Sequence, residues 1–143
     1  MSWDLFAMHL PPEIKRLSDL PKDFAPSPIG PRSEIIAKLS ALYPECDFSD
    51  PSWGSLGLPG CHIEFNLGAR DKPDSDELES FAMHVRGDGR APDVVAHILG
   101  ELGLRAFDPS SKSGIFEQDP VSRSESFERW RAYRAQITGI RPG

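Results

Sequence analysis

Two stretches of alternating apolar and polar residues constrain the fold of this chain more than any other feature. In segment 61–67 and again in segment 81–86, every second residue is apolar and those between are mostly polar. Because successive side chains of a β-strand point to opposite faces, each stretch predicts a strand with one buried and one polar face. Segment 53–58 precedes the first stretch across Pro59-Gly60, a pair typical of a hairpin turn. The middle of the chain is therefore predicted to form an antiparallel sheet.

Two amphipathic helices flank these strands. Pro31 suits the first turn of one helix, whose apolar stripe runs to Tyr43 before Pro44 stops it. Pro92 suits the first turn of a second helix, which ends at Gly103, a natural C-terminal cap. Both apolar stripes require a partner surface, and the predicted sheet supplies one.

The remaining elements complete an α+β fold. Six prolines between residues 11 and 31 exclude a long helix there and predict an extended surface connection. Further strands are expected in 3–10 and 104–108. We predict an antiparallel sheet with two helices on one face, a ferredoxin-like variant, plus a C-terminal amphipathic helix. One domain is expected over residues 1–143, with 122–143 as a basic C-terminal helix.

The charge balance narrows the classes of partner that this chain is expected to bind. The chain has 16 Lys and Arg against 22 Asp and Glu, a net charge of −6, which disfavours a general nucleic-acid or anionic-membrane binder. No segment approaches the roughly 20 apolar residues of a membrane helix, and the first residues lack a secretory pattern. We expect a cytoplasmic protein in which Cys46 and Cys61 are free thiols. Their spacing fits no zinc site and no cofactor motif occurs, so neither a metal nor a cofactor is expected.

The polar sides of the two alternating strands form the candidate site. If the helices cover the apolar side, the other side carries two imidazoles, a carboxylate, an amide and a guanidinium, from His62, Glu64, Asn66, His84 and Arg86. Such a set suits binding of a ligand or partner, metal coordination or acid–base chemistry. It is more typical of a half-exposed sheet face with ordinary cross-strand polar pairs. No catalytic motif accompanies it, and no catalytic residue is predicted.

An acidic segment from residue 71 to residue 79 is the second candidate. It carries five carboxylates against one lysine, from Asp71, Asp74, Asp76, Glu77 and Glu79. Such a loop steers a basic partner by its field, and it also serves simply to keep a protein soluble.

The predicted C-terminal helix has an apolar stripe that must pack against another surface. Aromatic and aliphatic residues recur at helical spacing in Phe127, Trp130, Tyr133 and Ile137. Five arginines and two glutamates give 122–143 a net charge of +3, leaving −9 on the rest of the chain. The helix is expected to cover either the chain's own body, including the polar sheet face, or a second subunit. The monomer is favoured over the homodimer, because a tethered helix has a high effective concentration.

Segments 80–87 and 104–108, with the opening Ser2-Trp3-Asp4, resemble a group of small uncharacterised bacterial proteins. The likeness covers much of the first 117 residues. It implies a bacterial cytosolic origin but no activity and no site.

Two functions are consistent with these features. The first is a non-enzymatic bacterial protein-interaction module, immunity-type or adaptor, whose partner is unknown. The alternative is a small-molecule or metal-binding protein, or a weak enzyme, that uses His62, Glu64, His84 and Arg86.

Overall fold

The computed structural model describes residues 2–138, with side chains as far as residue 132. Its strands are β1 (Trp3–Met8), β2 (Gly30–Pro31), β3 (Trp53–Leu58), β4 (Cys61–Asn66), β5 (Glu77–Leu78), β6 (Ser80–Gly87) and β7 (Arg105–Phe107). Its helices are α1 (Arg32–Leu42), α2 (Ala91–Leu102) and α3 (Pro120–Thr138), with a single 3-10 turn at Leu17–Asp19. Every helix within the described residues is too short or too polar to cross a membrane.

Five of the strands form one sheet in the order β3-β4-β6-β1-β7, while β2 and β5 pair separately. All the pairings in the large sheet are antiparallel. The α+β class is thereby confirmed, and the ferredoxin-like detail stays a prediction.

The hairpin of β3 and β4 turns at Pro59-Gly60, as predicted. Leu58 lies opposite Cys61, and Gly60 has a φ of 76°, a left-handed conformation that glycine adopts without steric cost. β4 then pairs with β6, with Ile63 opposite Val85. The two alternating stretches of the sequence therefore lie side by side, with their apolar residues on the same face.

Helices α1 and α2 cover this apolar face. Ile35 and Leu39 of α1 and Ile98 and Leu99 of α2 are buried in one cluster with the inward side chains of the large sheet. Each such side chain stabilises the fold by about 1.5–3 kcal/mol when fully buried. Helix α2 ends as predicted, because Gly103 has a φ of 66° and its N–H bonds back to the last turn.

The proline-rich connection covers one end of the opposite face. Met8, Leu10, Ile14 and Ile115 form a second, smaller apolar cluster there. Arg105 fastens the connection, because its guanidinium donates to the carbonyl oxygens of Pro11 and Ile14 at 2.8 and 2.7 Å. The connection therefore lies along the surface, and the sheet beyond it stays uncovered.

A buried arginine anchors the acidic segment. Arg32, only 2% exposed, donates from Nε to Asp74 Oδ1 at 3.0 Å and from Nη1 to the Ala69 carbonyl at 2.8 Å. Its Nη2 bonds to the carbonyl of Lys72. The next residues form β5, where Leu78 is buried. The segment is therefore anchored at Asp74 and Leu78, while most of its other residues are exposed, as predicted for a solvated loop.

Helix α3 packs on the chain's own body. The Phe127 ring lies 5.2 Å from the Trp3 ring and 5.5 Å from the Trp130 ring, and all three side chains are buried. The structure does not place the helix on the polar sheet face, because the apolar surface that it covers adjoins the inward-facing Trp3. The side chains of Tyr133 and Ile137 lie outside the described residues, and pairing with a second subunit stays a prediction.

A buried carboxylate joins the two ends of the chain. Asp108 has no exposed surface, and it accepts hydrogen bonds from Trp3 Nε1 at 2.9 Å and from Ser126 Oγ at 2.5 Å. The backbone N–H of Ser110 donates a third, at 2.9 Å. β1 and α3 are thus held through one side chain, whose burial is compensated by hydrogen bonding.

Substitution Phe127→Ala should lower the free energy of unfolding by about 3–5 kcal/mol, because it leaves a cavity against Trp3. Val121→Ala is the matched control in the same helix. Val121 is 65% exposed, and its replacement should change stability by less than about 0.5 kcal/mol. Urea denaturation of both variants measures the difference, and equal effects would contradict the packing of α3 described above.

Candidate functional site

The outward side chains of β1, β6, β4 and β3 form a surface that no described helix covers. We call this surface the open face. Across it the register sets one row of residues, in the order Asp4, His84, Glu64 and Ser55. Directly opposite side chains in an antiparallel sheet lie close enough to interact. The row therefore brings two carboxylates, an imidazole and a hydroxyl together from four strands.

His84 is held by a carboxylate at one ring nitrogen. Its Nδ1 lies 2.7 Å from Asp4 Oδ1, and the hydroxyl of Ser2 donates to the same oxygen. The Asp4 carboxylate is the acceptor, so the Nδ1 of the imidazole carries the proton in this contact. This arrangement fixes the orientation of the ring.

Trp53 is a large aromatic side chain on the open face. Its indole lies nearly parallel to the His84 ring, at 15° and with the ring centroids 5.4 Å apart. Its Nε1 donates to Glu64 Oε2 at 2.9 Å. Although fixed at two points, Trp53 remains 43% exposed.

Glu64 connects the remaining polar groups. Its Oε1 accepts from Arg86 Nη1 at 3.2 Å, and His62 Nε2 lies 3.9 Å from the same oxygen. Together with Trp53, these residues form one continuous polar network across the open face. Half-exposed ion pairs of this kind contribute little to stability.

The structure thus brings together four of the five residues that were predicted to share a face. Asn66 is on the same face, but its side chain accepts from the backbone N–H of Gly68 in a local turn. Sequence reasoning missed Asp4 and Trp53. The signal for Asp4 was a lone carboxylate within an otherwise apolar first strand. The signal for Trp53 was the predicted hairpin, whose turn at Pro59-Gly60 places Trp53 opposite Asn66.

A depression of about 470 Å³ lies at the edge of the open face, where residues 47–50 run beside β3. Its lining comprises Asp47, Ser49, Asp50, Trp53, Ser55, His62 and Glu64. The hydrogen bonds of Ser52 and the guanidinium of Arg70 lower the pKa of Asp50 to about 2. Hydrogen bonds from Ser49 likewise lower the pKa of Asp47. Both carboxylates therefore stay ionised at any physiological pH.

Neither cysteine is among the residues that line the depression. Cys61 is buried on the apolar face, and burial raises the pKa of its thiol to about 11. Burial raises the pKa of Cys46 to about 11 as well. A thiol with such a pKa is a poor nucleophile near neutral pH. Within the described residues, no group of three or more His, Cys, Asp or Glu side chains is arranged to hold a metal ion.

The acidic segment occupies a separate part of the molecule, anchored at the first residue of α1. Asp74 is paired with Arg32. The other four carboxylates, those of Asp71, Asp76, Glu77 and Glu79, belong to exposed residues. Steering of a basic partner by this segment stays a prediction.

Comparisons of the chain with protein-family models, with curated proteins and with solved structures found no match. The resemblance to small bacterial proteins therefore stays a prediction.

The titration of Asp50 tests the geometry of the depression. Because its pKa is lowered in the folded protein, its hydrogen bonds stabilise the fold above the ordinary pKa of 3.8, and that contribution disappears as the pH falls through about 2. Substitution Ser52→Ala should move the midpoint upward, towards 3.8. Ser49→Ala is the control, since it removes the hydroxyl hydrogen bond of Asp47 and leaves the hydrogen bonds of Asp50 in place. Carboxyl-carbon NMR shifts follow both groups, and an unmoved Asp50 midpoint in Ser52→Ala would refute the assignment.

Proposed function

We propose that this chain is a non-enzymatic protein-interaction module that binds a partner protein through the open face, as an immunity-type or adaptor protein does. The observation that carries the proposal is a sheet surface that none of the described helices covers, on which two large aromatic side chains are partly exposed. Trp53 is 43% exposed and Phe6 is 39% exposed. Exposed aromatic residues grouped on one surface are typical of interfaces, where they supply much of the binding energy.

The polar network supports recognition because it holds an exposed aromatic side chain in place. Glu64 accepts from Trp53 and Arg86, and His84, which faces Asp4, stacks on Trp53. A rigid surface loses little conformational entropy on binding, which favours affinity.

Affinity capture from a lysate of the source cell tests the proposal. Trp53→Ser and Phe6→Ser each remove an exposed aromatic residue from the open face. Val121→Ser removes an exposed apolar residue at the start of α3 and is the matched control. We expect the unaltered chain and Val121→Ser to capture the same partner, and both open-face variants to lose most of it.

Thermal melts of all the variants establish that each remains folded at the capture temperature. A partner that the folded open-face variants retain in full would contradict the proposal. So would a small molecule that raises the melting temperature of the unaltered chain and is lost in Trp53→Ser, because a ligand that binds only the folded state stabilises it. That result would favour the small-molecule alternative.

A further inference from the structure

The depression beside Trp53 has the features of a subsite for one side chain of a partner. It lies at the edge of the open face, and Trp53 and Glu64 belong to both. Its volume, about 470 Å³, lies at the lower end of the range for small-ligand pockets. The aromatic wall and the charge of the depression determine which type of side chain it can bind.

Trp53 provides a fixed aromatic wall. The hydrogen bond to Glu64 and the stacking on His84 determine the orientation of the indole. One side of the ring lies against His84, and Trp53 is among the residues that line the depression. A cation placed over an indole is attracted by the negative face of the ring, and tryptophan is the best aromatic residue for this.

The charged groups around the wall also favour a cation. Asp47, Asp50 and Glu64 each contribute a carboxylate to the lining. The whole chain carries a net charge of −6. An approaching basic segment is therefore attracted to the body as a whole, and the depression offers it carboxylates beside an aromatic ring.

Arg70 already places a guanidinium beside Asp50, one of the residues that line the depression. Arg70 Nη2 lies 2.9 Å from Asp50 Oδ2, and the Arg70 side chain is 84% exposed. Such an exposed pair is weak and readily exchanged. The contact shows that a guanidinium can bond to the Asp50 carboxylate from solvent. A guanidinium also stacks on aromatic rings, unlike the compact ammonium of lysine.

We infer that the depression receives an arginine side chain from a basic segment of the partner protein. The guanidinium stacks on Trp53 and bonds to the carboxylates of Asp47 and Asp50, displacing Arg70. This inference rests on the proposed function, and it specifies the partner as a protein with an exposed arginine in a basic segment.

NMR of the full chain with short blocked peptides tests the inference. The probes are Gly-Arg-Gly and Gly-citrulline-Gly, which have nearly the same shape but differ in charge. The reporter is the indole N–H of Trp53. The indole N–H of Trp3, buried against Asp108, is the internal control. We expect the arginine peptide to shift the Trp53 signal saturably, with a shift that salt reduces, and to leave the Trp3 signal in place.

Variants that remove one charge determine whether the arginine peptide binds at the depression. Asp47→Asn should weaken binding of the arginine peptide about five-fold, the scale of one exposed ion pair. Asp76→Asn removes the same charge from the acidic segment and should leave the affinity unchanged. Equal shifts with the citrulline peptide would overturn the inference, and so would equal weakening by Asp47→Asn and Asp76→Asn.

The peptide experiment and the capture experiment can fail independently of each other. If a partner depends on Trp53 but the arginine peptide does not shift the Trp53 signal, the inference fails and the interaction module stands. If the peptide binds as expected but no partner depends on the open face, the proposed function fails and the arginine subsite stands.

Discussion

The antiparallel register between β4, β6 and β1 is the constraint on which the rest of the structure depends. It aligns Phe65 with Met83 and Met83 with Leu5 on the apolar face. The same register aligns Glu64 with His84 and His84 with Asp4 on the open face. Because side chains alternate with a period of two, a slip of one residue would bury the polar row and expose the core. Burial of the core therefore also assembles the network around Trp53.

The two ends of the chain are part of this architecture. β1 supplies Trp3 to the apolar face and Asp4 to the open face, and Trp3 is held through Asp108 to Ser126 of α3. A charged residue is rarely buried unless it is hydrogen-bonded, and Asp108 accepts three such bonds. Packing of α3 thus supports the strand that orients His84, although α3 itself lies away from the open face.

The sequence predicted the structural features that depend on the local pattern of apolar and polar residues. Alternation placed His62, Glu64, His84 and Arg86 on one face because the strand period is independent of context. Strand order is not encoded locally, so the pairing of β1 with β6 that brings Asp4 to His84 was missed. Trp53 was overlooked although the predicted hairpin places it opposite Asn66. Buried Arg32 was missed for another reason: arginine is normally exposed, and only the carbonyl oxygens and the carboxylate of residues 69–74 explain its position.

The central claim is that the strand register assembles a fixed aromatic and ionic network on an uncovered face of the sheet. Nuclear Overhauser measurements on the folded chain test it most directly. The structure predicts cross-peaks between the indole of Trp53 and the imidazole of His84, whose centroids are 5.4 Å apart, and α-proton contacts across β1 and β6 near Asp4. Contacts of the Trp53 indole with core residues such as Phe65, or none with His84, would contradict the account.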